Sequence, residues 1–164
     1  MQRRPLDLYR VNRARPHHGI QLGRLFRQAL HDDFDYYDTD YLKQTERSNS
    51  AWHLSFATLR SDRMVLALWY GTSLVGYVIG ALRPGTRESD IFWLYVHPEH
   101  RGTGLGRLLV AEAINWLREH HAEIVQLVTY SQVSFYKQQG FEVERLAPGF
   151  VGGRDVYIMS KSLI

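Results

Sequence analysis

The chain has 164 residues, enough for one domain with a core of its own and too few for two comfortable ones. Apolar residues make up 45% and charged residues 23%, the balance of an ordinary globular domain. A net charge of +3, no cysteine, and no apolar run near the roughly 18 residues of a membrane span exclude disulfides, thiolate metal sites, a cysteine nucleophile and a transmembrane helix.

The N-terminus, MQRRPLDLYR, carries charge without the apolar run of a secretory signal, so a cytoplasmic location is expected. Eight histidines are scattered, and the adjacent pairs His17-His18 and His120-His121 lack a third ligand at metal-site spacing, so no metal is expected. Arginines are spread along the whole chain rather than clustered, which argues against nucleic acid as a partner.

In chain order, Leu6 to Ala14 alternates apolar residues and reads as a strand that Pro16 ends. From His17 to His31, Ile20, Leu22, Leu25, Phe26, Ala29 and Leu30 recur at helical spacing. An acidic, aromatic loop follows (Asp32 to Tyr41), then a short helix over Tyr41 to Arg47, and Ser48 to Asp62 has no clear period, its stretch Ala51 to Phe56 reading as either helix or strand. The pattern then switches to strands. Arg63 to Tyr70 and Leu74 to Leu82 are continuous apolar runs joined by Gly71-Thr72-Ser73, a hairpin signal, and Asp90 to Val96 is a third strand. Behind it Leu105, Leu108, Leu109, Ala113, Trp116 and Leu117 mark one face of a long helix reaching His121. Glu123 to Val128 is the next strand, reached across that helix, so the two strands are parallel with a right-handed crossover. A short helix over Gln132 to Gln139, stopped by Gly140, and strands over Phe141 to Leu146 and Asp155 to Lys161 close the chain. The whole, residues 1–164, reads as a single α+β domain with a mixed sheet.

The most informative stretch runs from Ile91 to Trp116. Three glycines, Gly102, Gly104 and Gly106, sit where a strand hands over to a helix, flanked by Arg101 and Arg107. A helix N-terminus leaves backbone N–H groups unpaired, its dipole favours an anion, and glycines let the backbone come close. That combination suits a phosphate. A nucleotide P-loop would need Lys and a hydroxyl residue after Gly106, and a dinucleotide fingerprint would need a third glycine at another offset; both fail on spacing.

What remains, Leu94 to Gly106 (LYVHPEHRGTGLG), is similar to the strand-turn-helix motif R-x-x-G-x-G of the GNAT superfamily of N-acetyltransferases. A second element about 30 residues on, Phe135-Tyr136-Lys137-Gln138-Gln139-Gly140-Phe141, resembles that family's F-Y-x-x-x-G-F. The element order β-α-α-β-β-β-α-β-α-β-β also matches along nearly the whole chain. The resemblance implies an acetyl-CoA-dependent transferase whose central parallel strands splay around the cosubstrate. It assigns the thioester and pantetheine arm to the backbone of Leu94, Tyr95 and Val96. It assigns the pyrophosphate to Arg101, Gly102, Thr103, Gly104, Leu105, Gly106 and Arg107. In place of an Asn common in the family this chain has Thr129, with Ser131 nearby.

Acetyl transfer to an amine requires the amine to lose a proton, the oxyanion to be steadied and the departing thiolate to be protonated. Without cysteine, direct attack in a ternary complex is favoured. Tyr136 is the candidate acid, a backbone N–H near Leu94 or Tyr95 the candidate oxyanion donor. Glu88, Asp90, His97 and Glu99 are weighed as bases, with water as the alternative. Asp32, Asp33, Asp35, Asp38 and Asp40, interleaved with Phe34, Tyr36, Tyr37 and Tyr41, suggest a cationic acceptor amine, against the plainer reading of helix caps and buried tyrosines. A catalytically silent acyl-CoA-binding domain is the alternative function, and a homodimer is left open.

Overall fold

A computed structural model describes residues 6–164; the first five residues of the expected domain lie outside the described ones. After a 3-10 turn at Leu6–Leu8 come strand β1 (Tyr9–Arg13) and helices α1 (Gly19–Asp33), α2 (Thr39–Ser48) and α3 (Ala51–Ala57). Strands β2 (Arg63–Tyr70), β3 (Ser73–Leu82) and β4 (Glu88–Val96) follow, then helix α4 (Leu105–Glu119) and strand β5 (Ile124–Thr129). Helix α5 (Val133–Gln138) and strands β6 (Glu142–Val151) and β7 (Arg154–Ser162) complete the chain. The strands form one seven-stranded sheet in the order β1-β2-β3-β4-β5-β7-β6, antiparallel except for the parallel β4–β5 pair. The mixed α+β fold read from the sequence is therefore the fold observed. None of the described helices is long and apolar enough to cross a membrane.

Both sheet faces are covered. Leu105, Leu109, Ala113 and Leu117 of α4 pack on one face against Met64, Leu68, Val78 and Ile91. Leu22, Leu25, Phe26 and Ala29 of α1 pack on the other against Val65, Ala67, Tyr77 and Ile79. Two covered faces explain why β2 and β3 read as unbroken apolar runs rather than alternating ones.

The segment without clear period, residues 48–62, contains α3. A Cβ on Gly19 would fall 1.9 Å from Ser55 Oγ and one on Gly23 2.9 Å from the Ala51 backbone. Those two glycines let α3 lie directly on α1. The first strand is shorter than expected because Leu6 to Leu8 coil into the 3-10 turn. Strand β6 runs on through Pro148 and Gly149, where its register against β7 shifts; as an edge strand it can hold a proline and a bulge.

The feature that makes the site lies in β4. Ile79 pairs with Trp93 but Gly80 pairs with Ile91, so Phe92 is an extra residue, a β-bulge in the central strand. A bulge bends and twists its strand. The β4–β5 ladder accordingly runs only from Glu88–Ile124 to Ile91–Leu127, and beyond the bulge the two strands part.

Candidate active site

The parting of β4 and β5 opens a cleft of about 1040 Å³. His97 donates its backbone N–H to Val75 of β3 at 2.8 Å, and Tyr95 pairs with Tyr77 of β3. By the alternation of an antiparallel ladder, the Tyr95 amide is engaged by β3 while those of Leu94 and Val96 face the gap. Of the two oxyanion donors considered from sequence, Leu94 is therefore the one whose N–H points into the cleft.

At the far end stands the glycine turn. Gly102 and Gly104 have φ of 79° and 88°, left-handed values that a side chain resists. The first N–H of α4 to find a carbonyl is that of Leu108, bonded to Gly104 O at 3.0 Å. The amides of Leu105, Gly106 and Arg107 are left as the unpaired donors of a helix N-terminus. A Cβ on Gly104 would meet no atom of the described residues within 4 Å, so among them the space over this turn is open. Gly106 is different: a Cβ there would press on the Phe135 ring at 3.3 Å, so this glycine serves the packing of α5 on α4.

Arg107 lines the cleft and donates to Gln138 Oε1 at 3.0 Å, while Thr103 Oγ1 donates to His100 O at 3.1 Å. The Arg101 side chain turns back from the turn. Its Nε donates to Val96 O at 2.7 Å and its Nη2 forms an ion pair with Asp33. The guanidinium also lies 5.4 Å from the centre of the Tyr95 ring. It braces the end of β4 against α1 instead of reaching toward the open space over the glycines. Burial, then the nearby Asp33 carboxylate, push the Tyr95 phenol up to about 12. The hydroxyls of Tyr95 and of Tyr77, whose rings stack at 5.7 Å, are buried with no hydrogen-bond partner among the described residues.

Tyr136 sits on α5, buried, and lines the same cleft. Burial alone pushes its phenol well above the ordinary tyrosine value, so it stays protonated at neutral pH. Phe135 and Phe141 flank it edge-on at 5.0 and 5.7 Å. Thr129, also buried in the cleft wall, accepts a hydrogen bond from Gln132 N at 3.0 Å and so fastens the entry to α5.

Opposite, the acidic-aromatic loop divides in two. Asp32 and Asp33 line the cleft; Asp35, Asp38 and Asp40 do not. Asp38 accepts from Tyr41 N at 2.8 Å and caps α2, which is the plainer reading weighed for this stretch. Asp33 is held by Arg101, whereas Asp32 bonds to no described residue. The loop is clamped to the β6–β7 turn by Arg154 Nε on Tyr36 O at 2.6 Å and Asp38 N on Gly152 O at 3.1 Å. Tyr36 meets Tyr130, just past β5, with ring centres 4.5 Å apart, so aromatic side chains from both sides touch at the cleft.

None of the four bases weighed from sequence opens into the cleft. Arg83 bonds both Glu88 and Asp90. His97, Glu99 and His100 gather at the 3-10 turn after β4, with one ligand atom of each within 4.8 Å of the others. Two of these groups already have work there: His97 Nδ1 accepts from Glu99 N at 3.3 Å and His100 Nδ1 bonds the Tyr9 hydroxyl at 2.8 Å.

Known proteins share this fold. The pattern of the acetyltransferase (GNAT) family matches residues 24–141. An uncharacterized N-acetyltransferase, ycf52, of Gracilaria tenuistipitata var. liui is 33% identical over 79 residues, which are 46% of this chain and 43% of that protein. The chain thus spans less than half of that relative. PaiA N-acetyltransferase of Thermoplasma acidophilum, solved with coenzyme A, superposes with a TM-score of 0.78 at 21% identity, over 94% of this chain and 98% of that one. YncA of Salmonella typhimurium, a putative acetyltransferase solved with acetyl-CoA, gives 0.70 at 21% identity, over 96% and 95%. At such identities the two structures speak for the fold. With the family pattern covering most of its length and the splayed strands, glycine turn and α5 tyrosine in place, the chain belongs to the GNAT family of acetyltransferases.

Proposed function

We propose that the protein transfers the acetyl group of acetyl-CoA to a primary amine by direct attack within a ternary complex. The observation that carries this reading is the continuity of one cleft from the unpaired amides of α4, past the free edge of β4, to the buried Tyr136 hydroxyl. The amides of residues 105–107 and the left-handed Gly102 and Gly104 suit a pyrophosphate. The inward-facing amides of Leu94 and Val96 suit the pantetheine arm and the developing oxyanion. Because Arg101 already donates to the Val96 carbonyl, its role here is to position the end of β4 rather than to bind phosphate.

In the reaction the amine nitrogen attacks the thioester carbon, the C–N bond forms, and charge gathers on the carbonyl oxygen beside the Leu94 N–H. The C–S bond then breaks and the Tyr136 hydroxyl protonates the departing sulfur. The proton lost by the amine leaves through water, since none of Glu88, Asp90, His97 and Glu99, the bases weighed from sequence, lines the cleft. The acceptor enters as a cation between the free Asp32 carboxylate and the Tyr36–Tyr130 rings.

The direct test is release of free thiol from acetyl-CoA with a panel of primary amines. Amine-dependent release, with acetyl-amine as the second product, is expected. Tight coenzyme A binding with no release for any amine would instead favour a silent acyl-CoA-binding domain.

A further inference from the structure

Behind the main cleft lies a second cavity of about 460 Å³. The two share Phe34, Tyr37, Phe92 and Val128, so the second cavity continues the first on the α2 side of the sheet. The bulge in β4 produces the junction: Phe92, a large apolar residue in the central strand, is 45% exposed there. Trp93, Tyr41 and Ile158 extend the apolar wall.

The charges around this cavity are unevenly disposed. Asp90 lines it, but Arg83 donates to both its carboxylate oxygens, at 2.8 and 2.6 Å, and to Gln126 as well. Burial holds the phenols of Tyr37 and Tyr41 above the ordinary tyrosine range, so neither supplies negative charge. Arg145 lines the cavity and bonds no described residue. A second ammonium placed here would find no open carboxylate and would face an unpaired guanidinium. An uncharged apolar group would find aromatic faces.

We infer that the second cavity receives the body of the acceptor, and that the acceptor is a monoamine bearing an aromatic or branched apolar group rather than a polyamine. This rests on reading the main cleft as the transfer site: the ammonium stays near Asp32 and the apolar end passes Phe92 into the cavity.

Calorimetry on protein saturated with coenzyme A tests it without depending on turnover. Phenethylamine is expected to bind at least tenfold more tightly than ethylamine or spermidine. Val151→Trp, which narrows the cavity from β6, should remove that preference while leaving coenzyme A affinity unchanged. Arg145→Glu, an exposed change that spares the fold, should strengthen spermidine several-fold and leave phenethylamine within twofold. Spermidine binding as well as phenethylamine in the wild type, or a preference untouched by both variants, would overturn the inference. Phenethylamine binding without thiol release would contradict the transfer reaction and leave the cavity assignment standing.

Discussion

Where residues 101–107 line the cleft they offer backbone: left-handed glycines, unpaired amides and open space. Where residues 32–37 line it they offer side chains: one free carboxylate, one paired carboxylate and a group of aromatic rings. The first wall suits a ligand part that never varies, because amides at a helix N-terminus hold any phosphate equally well. The second suits a ligand part that can vary, because a change of one side chain changes what it accepts. Arg101 joins the two walls through Val96 and Asp33, so the backbone wall and the side-chain wall meet at one residue.

Two substitutions sharpen the contrast, the larger effect first. Tyr136→Phe keeps the ring among Phe135 and Phe141 and removes only the hydroxyl, so kcat should fall about 10²–10⁴-fold with coenzyme A affinity near wild type. The pH profile gives a second readout. Because burial raises the Tyr136 phenol above its ordinary value of 10.0, the proton-donating form persists through pH 10, and no alkaline loss of rate from this group should appear below it. A full rate in the variant would move the proton donor to solvent. On the other wall, Asp32→Asn should raise the acceptor KM about twofold to fivefold, the size of one partly exposed charge interaction. Added salt should act in the same direction on the wild type, and the acetyl-CoA KM, measured alongside, shows how much of the salt effect belongs to the other wall.

The difference between the walls also decides what the sequence could disclose. Backbone chemistry leaves marks: Gly102 and Gly104 signal left-handed turns, the apolar period from Leu105 signals the helix behind them, and together they place the turn correctly. Side-chain direction leaves none. Nothing in the string of letters says that Arg101 turns back to Val96, that Thr129 fastens α5, or that Asp33 is paired while Asp32 stays free. The bulge at Phe92 does leave a mark, but across the ladder: it falls opposite Gly80, a glycine inside the apolar run of β3 where a Cβ would lie 2.3 Å from Asp90 O. Helix α3 is seven residues long, less than two full apolar repeats, and so falls below what periodicity can detect. Its one available signal lay elsewhere, in Gly19 and Gly23, two glycines on α1 that make sense only with another helix against them.

The central claim, that backbone at the start of α4 holds the cosubstrate, is tested most directly by titrating coenzyme A into folded wild-type protein and into Gly104→Val. A Cβ at this position meets no atom of the described residues within 4 Å; a side chain there enters the space over the turn and opposes a φ of 88°. Affinity should therefore drop more than tenfold in a variant that still folds, its stability lowered by about 1–3 kcal/mol by the strained backbone. Unchanged affinity in a folded variant would contradict the claim and place the phosphate elsewhere in the cleft.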